Sequence, residues 1–228
     1  MKWTYVYVIL VAMILFYYSP QFMNFGPDSG SAAEHIEQGK KFQAEDNLWK
    51  ARESFRLAIK ADPENSEAYF LRGTVQMALN YHEDAISDFS RALQLNPSNG
   101  NAYYNRGLSL AKSGNLKGAI FDFDKAIQTN PGDVAAFRDR GVAKHRLEDR
   151  LGALEDLERA VELNPNYSGA QVSLGNLLIE LGKVTEGLQH LNRAVALNPT
   201  LKQSLSQPGG CGPVWNESLQ EVTHADCS

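Results

Sequence analysis

Five prolines, Pro63, Pro97, Pro131, Pro165 and Pro199, stand 34 residues apart along this chain. A fixed spacing of this size marks a repeat array, in which each segment is one supersecondary unit that buries its apolar face against its neighbours. With the proline at position 32 of each unit, the units run 32–65, 66–99, 100–133, 134–167 and 168–201. In the last four units the proline follows an asparagine: Asn96, Asn130, Asn164 and Asn198. Proline cannot continue a helix, so position 32 closes each unit.

Other columns align on the same grid. Position 8 is Gly39, Gly73, Gly107, Gly141 and Gly175, and position 20 is Ala51, Ala85, Ala119, Ala153 and Gly187. Position 27 is Ala58, Ala92, Ala126, Ala160 and Ala194, while position 24 is Phe55, Phe89, Phe123, Leu157 and Leu191. Small residues at 8, 20 and 27 let two helices approach closely, and the large residue at 24 fills the space beside them. Apolar residues at 20, 24, 27 and 28 have helical periodicity. Gly114-Asn115 and Gly182-Lys183 supply turns between the two helices of a unit.

On these columns the chain resembles the tetratricopeptide repeat (TPR) family over about three quarters of its length, counted from residues 32–201. Units two and three match best, with Tyr69 and Tyr103 at the aromatic position 4. The end units depart: His35 and Gln171 replace the aromatic, and Gln38 and Leu174 replace the arginine of position 7. End units of a repeat array face solvent or a cap and are commonly atypical. The resemblance implies an all-α, right-handed superhelical solenoid of five helix-turn-helix units. An N-terminal hydrophobic helix is expected before it.

The domains expected are residues 1–25 as a membrane anchor or signal segment, 26–31 as a linker, 32–201 as the repeats, and 202–228 as a short cap stump with a flexible, cysteine-containing tail. Trp3 to Tyr18 are apolar, aromatic or neutral throughout. Sixteen residues make a helix of roughly 24 Å, short of a bilayer core of ~30 Å. A cleaved signal needs a small-x-small site close behind the apolar run, but Pro20 follows directly and Ser31 and Ala33 lie well downstream. An uncleaved anchor is therefore preferred, with secretion after cleavage as the alternative. Lys2 precedes the run and no lysine or arginine follows it until Lys40. The positive-inside bias then keeps the N-terminus cytoplasmic and exports the repeats to a periplasm or lumen. Cys211 and Cys227 are the only cysteines. On the exported side they are expected to form a disulfide that braces the tail.

The formal net charge is −5, from 22 basic and 27 acidic residues, which excludes a nucleic-acid partner held by phosphate neutralisation. The five histidines have no metal-ligand spacing with one another or with the cysteines, and no hydrolase, nucleotide or zinc-protease motif occurs. No enzyme activity, metal or cofactor is expected.

In the family that the chain resembles, the first helix of each unit lines a concave groove through positions 2, 5, 6, 9, 12 and 13, which share one helix face. Transferred to this sequence, partner-binding candidates are Phe70, Tyr104, Asn105, Arg138 and Asn176. The stripe passes from apolar and aromatic to polar and mildly basic, which suits a peptide with an apolar anchor and an acidic or amide-rich end. The family's variant that clamps a chaperone's terminal carboxylate is disfavoured, because Ile36 and Lys40, then Leu71, then Asn101 and Asn105 stand at its positions. Arg72, Arg106 and Arg140 at position 7 match Asp88, Asp122 and Asp156 at position 23, and these are expected to form structural ion pairs. The function expected is a membrane-tethered scaffold that binds peptide segments of partner proteins in the groove and helps assemble a complex. Self-association through the weakly capped fifth repeat, giving a structural array, is the competing expectation.

Overall fold

A computed structural model describes residues 30–205, 212–216 and 221–225. The chain divides into two compact units, residues 1–97 and 98–228. In the first, α1 (Ala32–Ala44), α2 (Leu48–Ala61), α3 (Ser66–Ala78) and α4 (His82–Leu95) pack each on the next. In the second, α5 (Gly100–Lys112), α6 (Leu116–Thr129), α7 (Val134–Arg146), α8 (Arg150–Leu163), α9 (Ser168–Glu180) and α10 (Val184–Leu197) do the same. The short α11 (Leu201–Leu205) follows, then a hairpin of β1 (Gly212–Asn216) and β2 (Glu221–Ala225). Each 34-residue unit is thus one helix pair, and the described residues hold ten long helices of an all-α repeat.

The asparagine before each proline acquires a physical reason. As the helix ends, the side-chain oxygens of Asp62, Asn130, Asn164 and Asn198 each accept the backbone N–H two residues on, at 3.0 to 3.2 Å. These Asx turns bridge the proline and turn the chain toward the next helix. Helix starts are capped in the same economy of residue types. Asn47, Asn65, Asn99, Asn115, Asp133 and Asp149 each accept from the third helical N–H. Ser31 and Glu34 form a capping box at α1. Tyr81, Tyr167 and Lys183 occupy equivalent positions and supply no such bond.

Position 15 of every unit adopts the left-handed conformation: Asp46 (φ 56°), Asn80 (63°), Gly114 (86°), Glu148 (64°) and Gly182 (81°). Glycine fills it only twice, so the other three carry steric strain to make the same turn.

Within each repeat the position-24 side chain is laid on the position-8 glycine. Phe55, Phe89, Phe123, Leu157 and Leu191 are buried, and a Cβ on Gly39, Gly73 or Gly107 would stand 2.4 to 2.8 Å from the ring of its own unit. The arginine–aspartate columns pair within each unit, bidentate in all three: Arg72–Asp88, Arg106–Asp122 and Arg140–Asp156. Arg140 also donates to Asp124 of the preceding repeat at 2.5 Å.

Two expectations need correcting or placing. The tail read as flexible loop contains a hairpin, with Val214 opposite Thr223 and Trp215 opposite Val222. Glycines flanking short β-prone runs disguised it. Val222 is buried against Leu191 and Val195, and its backbone N–H and C=O are both met by the Asn192 amide. The fifth repeat therefore carries a cover larger than the Leu201 stump. Residues 1–29, with the apolar run 3–18, and both Cys211 and Cys227 lie outside the described residues. Among the described residues no helix is long and apolar enough to cross a membrane.

Candidate functional site

In the first unit, Phe70 is half-buried on α3, its ring centroid 5.9 Å from that of the core residue Phe89. Tyr104 on α5 repeats this packing against Phe123, again at 5.9 Å. Both aromatic rings are thus held down by their own unit, and the hydroxyl distinguishes them.

In the second unit that hydroxyl nucleates a polar network. Tyr104 Oη donates to Asp139 Oδ2 of α7 at 2.7 Å. Asp139 also accepts from its neighbour Arg138, whose guanidinium lies 5.9 Å from the Tyr167 ring at the start of α9. Tyr104 belongs to repeat 100–133, and Arg138 and Tyr167 to repeat 134–167, with Tyr167 at the N-cap of α9, so the network ties α5, α7 and the start of α9 together. Burial, then the Asp139 charge, pushes the Tyr104 hydroxyl well above the usual tyrosine range. It stays a neutral donor at any physiological pH. For Arg138, burial opposes the charge while Asp139 more than offsets it, and the guanidinium is held firmly cationic.

Beside this network an open cleft of about 230 Å³ lies between α5, α6 and α7. Leu108, Ala111, Leu116, Phe123 and Val142 form its apolar wall. Lys112, Arg138 and Arg146 bring three positive charges to it, against the single carboxylate of Asp139. One turn before Leu108, Asn105 is half-buried and its side-chain amide makes no hydrogen bond among the described residues; only its carbonyl is used, by Ser109. Asn176 on α9 is exposed and its amide is likewise unengaged among the described residues. Farther along, His145 of α7 meets Glu180 of α9 at 2.7 Å.

The structure thus joins Tyr104 and Arg138 in one network and places Asn105 next to it. Asn176 stands apart on α9, outside the cleft lining. Sequence reading missed the part of Tyr167. Its signal was available: a tyrosine stands where Asn65, Asn99 and Asp133 cap the corresponding helices. Among the described residues no three His, Cys, Asp or Glu side chains assemble as a metal ion would require.

A fold of paired helices repeating every 34 residues defines a class of helical-repeat protein. Two tetratricopeptide repeat models match residues 100–133 and 138–201 respectively, and a third, TPR repeat, model matches 77–114. The chain belongs to the tetratricopeptide repeat family. A curated relative, "DnaJ homolog subfamily C member 3" of Rattus norvegicus, is 38% identical over 58 residues, which are 25% of this chain and 12% of that protein. Among solved structures, MamA from Desulfovibrio magneticus RS-1 is 19% identical with a TM-score of 0.69, over 77% of this chain and 97% of that one. YrrB, described as a TPR protein with an unusual peptide-binding site, is 22% identical with a TM-score of 0.64, over 74% and 87%. PilW, described as a type IV pilus biogenesis factor, is 20% identical with a TM-score of 0.66, over 73% and 77%. These likenesses show the fold.

Proposed function

We propose that this protein is an interaction scaffold that captures a peptide segment of a partner protein on the inner helices of its second unit and so helps assemble a complex. The observation that carries the reading is the cleft beside the Tyr104–Asp139–Arg138–Tyr167 network. Its apolar wall accepts a large side chain, and its excess of positive charge favours acidic residues flanking that anchor. Asn105, beside the cleft, and Asn176, farther along on α9, offer the peptide backbone side-chain amides that make no hydrogen bond among the described residues. Phe70 holds the equivalent place in the first unit. That YrrB carries a peptide-binding site and PilW serves pilus biogenesis on the same fold is consistent with this use.

The scaffold is tethered to a membrane through residues 1–25, with the N-terminus cytoplasmic and the repeats exported; the uncharged run 3–18 and Lys2 support this. Cys211 and Cys227 then meet an oxidising compartment and form a disulfide. The test is binding of acidic peptides with a single apolar anchor to the full chain in detergent. Asn105→Ala with Arg138→Ala should keep the helical circular dichroism and weaken binding about tenfold or more, the loss of one or two charge-assisted hydrogen bonds. Undiminished binding moves the interface elsewhere.

A further inference from the structure

We infer that Trp49, Arg52 and Tyr81 of the first unit form a contact surface for the headgroup region of a lipid bilayer. The inference rests on the proposed tethering by the N-terminal run.

Trp49, at the start of α2, leaves 58% of its surface exposed, and Tyr81, just before α4, leaves 39%. The two rings meet edge to face with centroids 6.0 Å apart. Arg52 spans both, its guanidinium carbon 5.4 Å from the Trp49 ring and 5.7 Å from the Tyr81 ring. Among the described residues Arg52 has no carboxylate partner, whereas Arg56, one turn on, is locked to Glu53. The cation is therefore positioned by the rings and keeps its donors for something outside the chain.

The sequence gives up local stability to build this group. Tyr81 stands where Asn47, Asn115 and Asp149 cap their helices, and it forms no cap bond. The matching position to Trp49 holds Glu83, Lys117, Leu151 and Thr185 in the following units, so an aromatic ring stands there only in the first repeat. A tryptophan and a tyrosine around an arginine is instead the chemistry of the bilayer interface. Rings sit at the glycerol level, and a guanidinium forks onto phosphate.

The chain's geometry places that interface within reach. Only residues 19–31 separate the apolar run from α1, and 13 residues span at most roughly 45 Å when fully extended. The first unit is therefore the folded body leashed nearest to the membrane. Charge chooses the lipid. Glu45, Asp46, Glu83 and Asp84 adjoin the group in sequence and outnumber Lys50 and Arg52, so the surface is amphipathic rather than polybasic. It suits zwitterionic headgroups, whose choline also stacks on aromatic faces, and its contact should persist at high salt.

The experiment uses the full chain carrying Trp3→Phe and Trp215→Phe, which leaves Trp49 as the sole tryptophan. The protein is reconstituted into phosphatidylcholine vesicles with plain or brominated acyl chains. A blue-shifted Trp49 emission that is quenched by brominated lipid, at low and at high salt, is the expected result. Co-flotation with vesicles but unshifted, unquenched emission overturns the inference and leaves the tether standing. Failure to co-float overturns both. Loss of a crosslinked protein partner in Trp49→Ala, with no lipid quenching in the parent, identifies a protein contact instead and also overturns it.

Discussion

Replacing Gly187 with alanine should destabilise the protein, although four of the five repeats carry alanine at that position. A Cβ on Gly187 would stand 2.6 Å from the Gly175 carbonyl oxygen, 2.6 Å from Ile179 Cγ1 and 3.1 Å from the Ile179 backbone nitrogen. Two of these neighbours are backbone and cannot rotate away, so α9 and α10 must separate. Overpacking of this kind costs about 1–3 kcal/mol. Alanine recovers up to about 1 kcal/mol of helix propensity. The net loss is therefore roughly 1–2 kcal/mol, which lowers the melting temperature by about 3–6 °C in a chain of this size. Circular dichroism at the helical band gives the midpoint. Ala153→Gly, at the equivalent place in the preceding repeat, is the control: it loses helix propensity and the contacts of one buried methyl, together about 1–2 kcal/mol, with no clash. A Gly187→Ala protein that melts at or above the parent would refute the close crossing of α9 and α10.

Three further outcomes follow from particular residues. Asp122→Ala removes both 2.7 Å hydrogen bonds to Arg106 from a carboxylate that is 1% exposed. Breaking a buried pair costs about 3–5 kcal/mol, and partial exposure of Arg106 reduces this to about 2–4 kcal/mol, read from the denaturant midpoint. Glu148→Gly relieves a left-handed backbone (φ 64°) and should stabilise by about 1 kcal/mol, whereas Gly114→Ala should lose a similar amount. His190 Nδ1 donates at 2.6 Å to Oε1 of the buried Gln171, and burial, then Arg193, holds its pKa below the ordinary histidine value. The unfolded chain then binds this proton more readily. The stabilisation is complete above the ordinary histidine range and is lost as pH falls through it toward the lowered folded value. Thermal scans from neutral to mildly acidic pH should show this loss in the parent and a smaller one in His190→Gln.

Backbone-forced residues made most of the fold readable in advance. Proline at position 32 and glycine at position 8 have few alternatives, and their columns predicted the ten long helices that the described residues hold. The matched arginine and aspartate columns likewise foretold their pairing, because both partners lie within one helix pair. Contacts between repeats were less accessible. Tyr104 reaches Asp139 only because position 5 of one unit meets position 6 of the next, and no local pattern announces that meeting. Tyr167 lay at a cap position, where its stacking on Arg138 depends on the packing of α7 against α9. The hairpin escaped because five-residue strands beside glycines look like loop until Val222 finds Leu191 and Val195.

The central claim is that partners bind on the inner helices of the second unit. Site-specific photocrosslinking tests it most directly, with the crosslinker placed at Asn105 and, separately, at the exposed Glu158 of α8, in the full chain within its host cells. The account predicts a discrete protein adduct from Asn105, competed away by an acidic peptide with an apolar anchor, and none from Glu158. An adduct from Glu158 alone would contradict it.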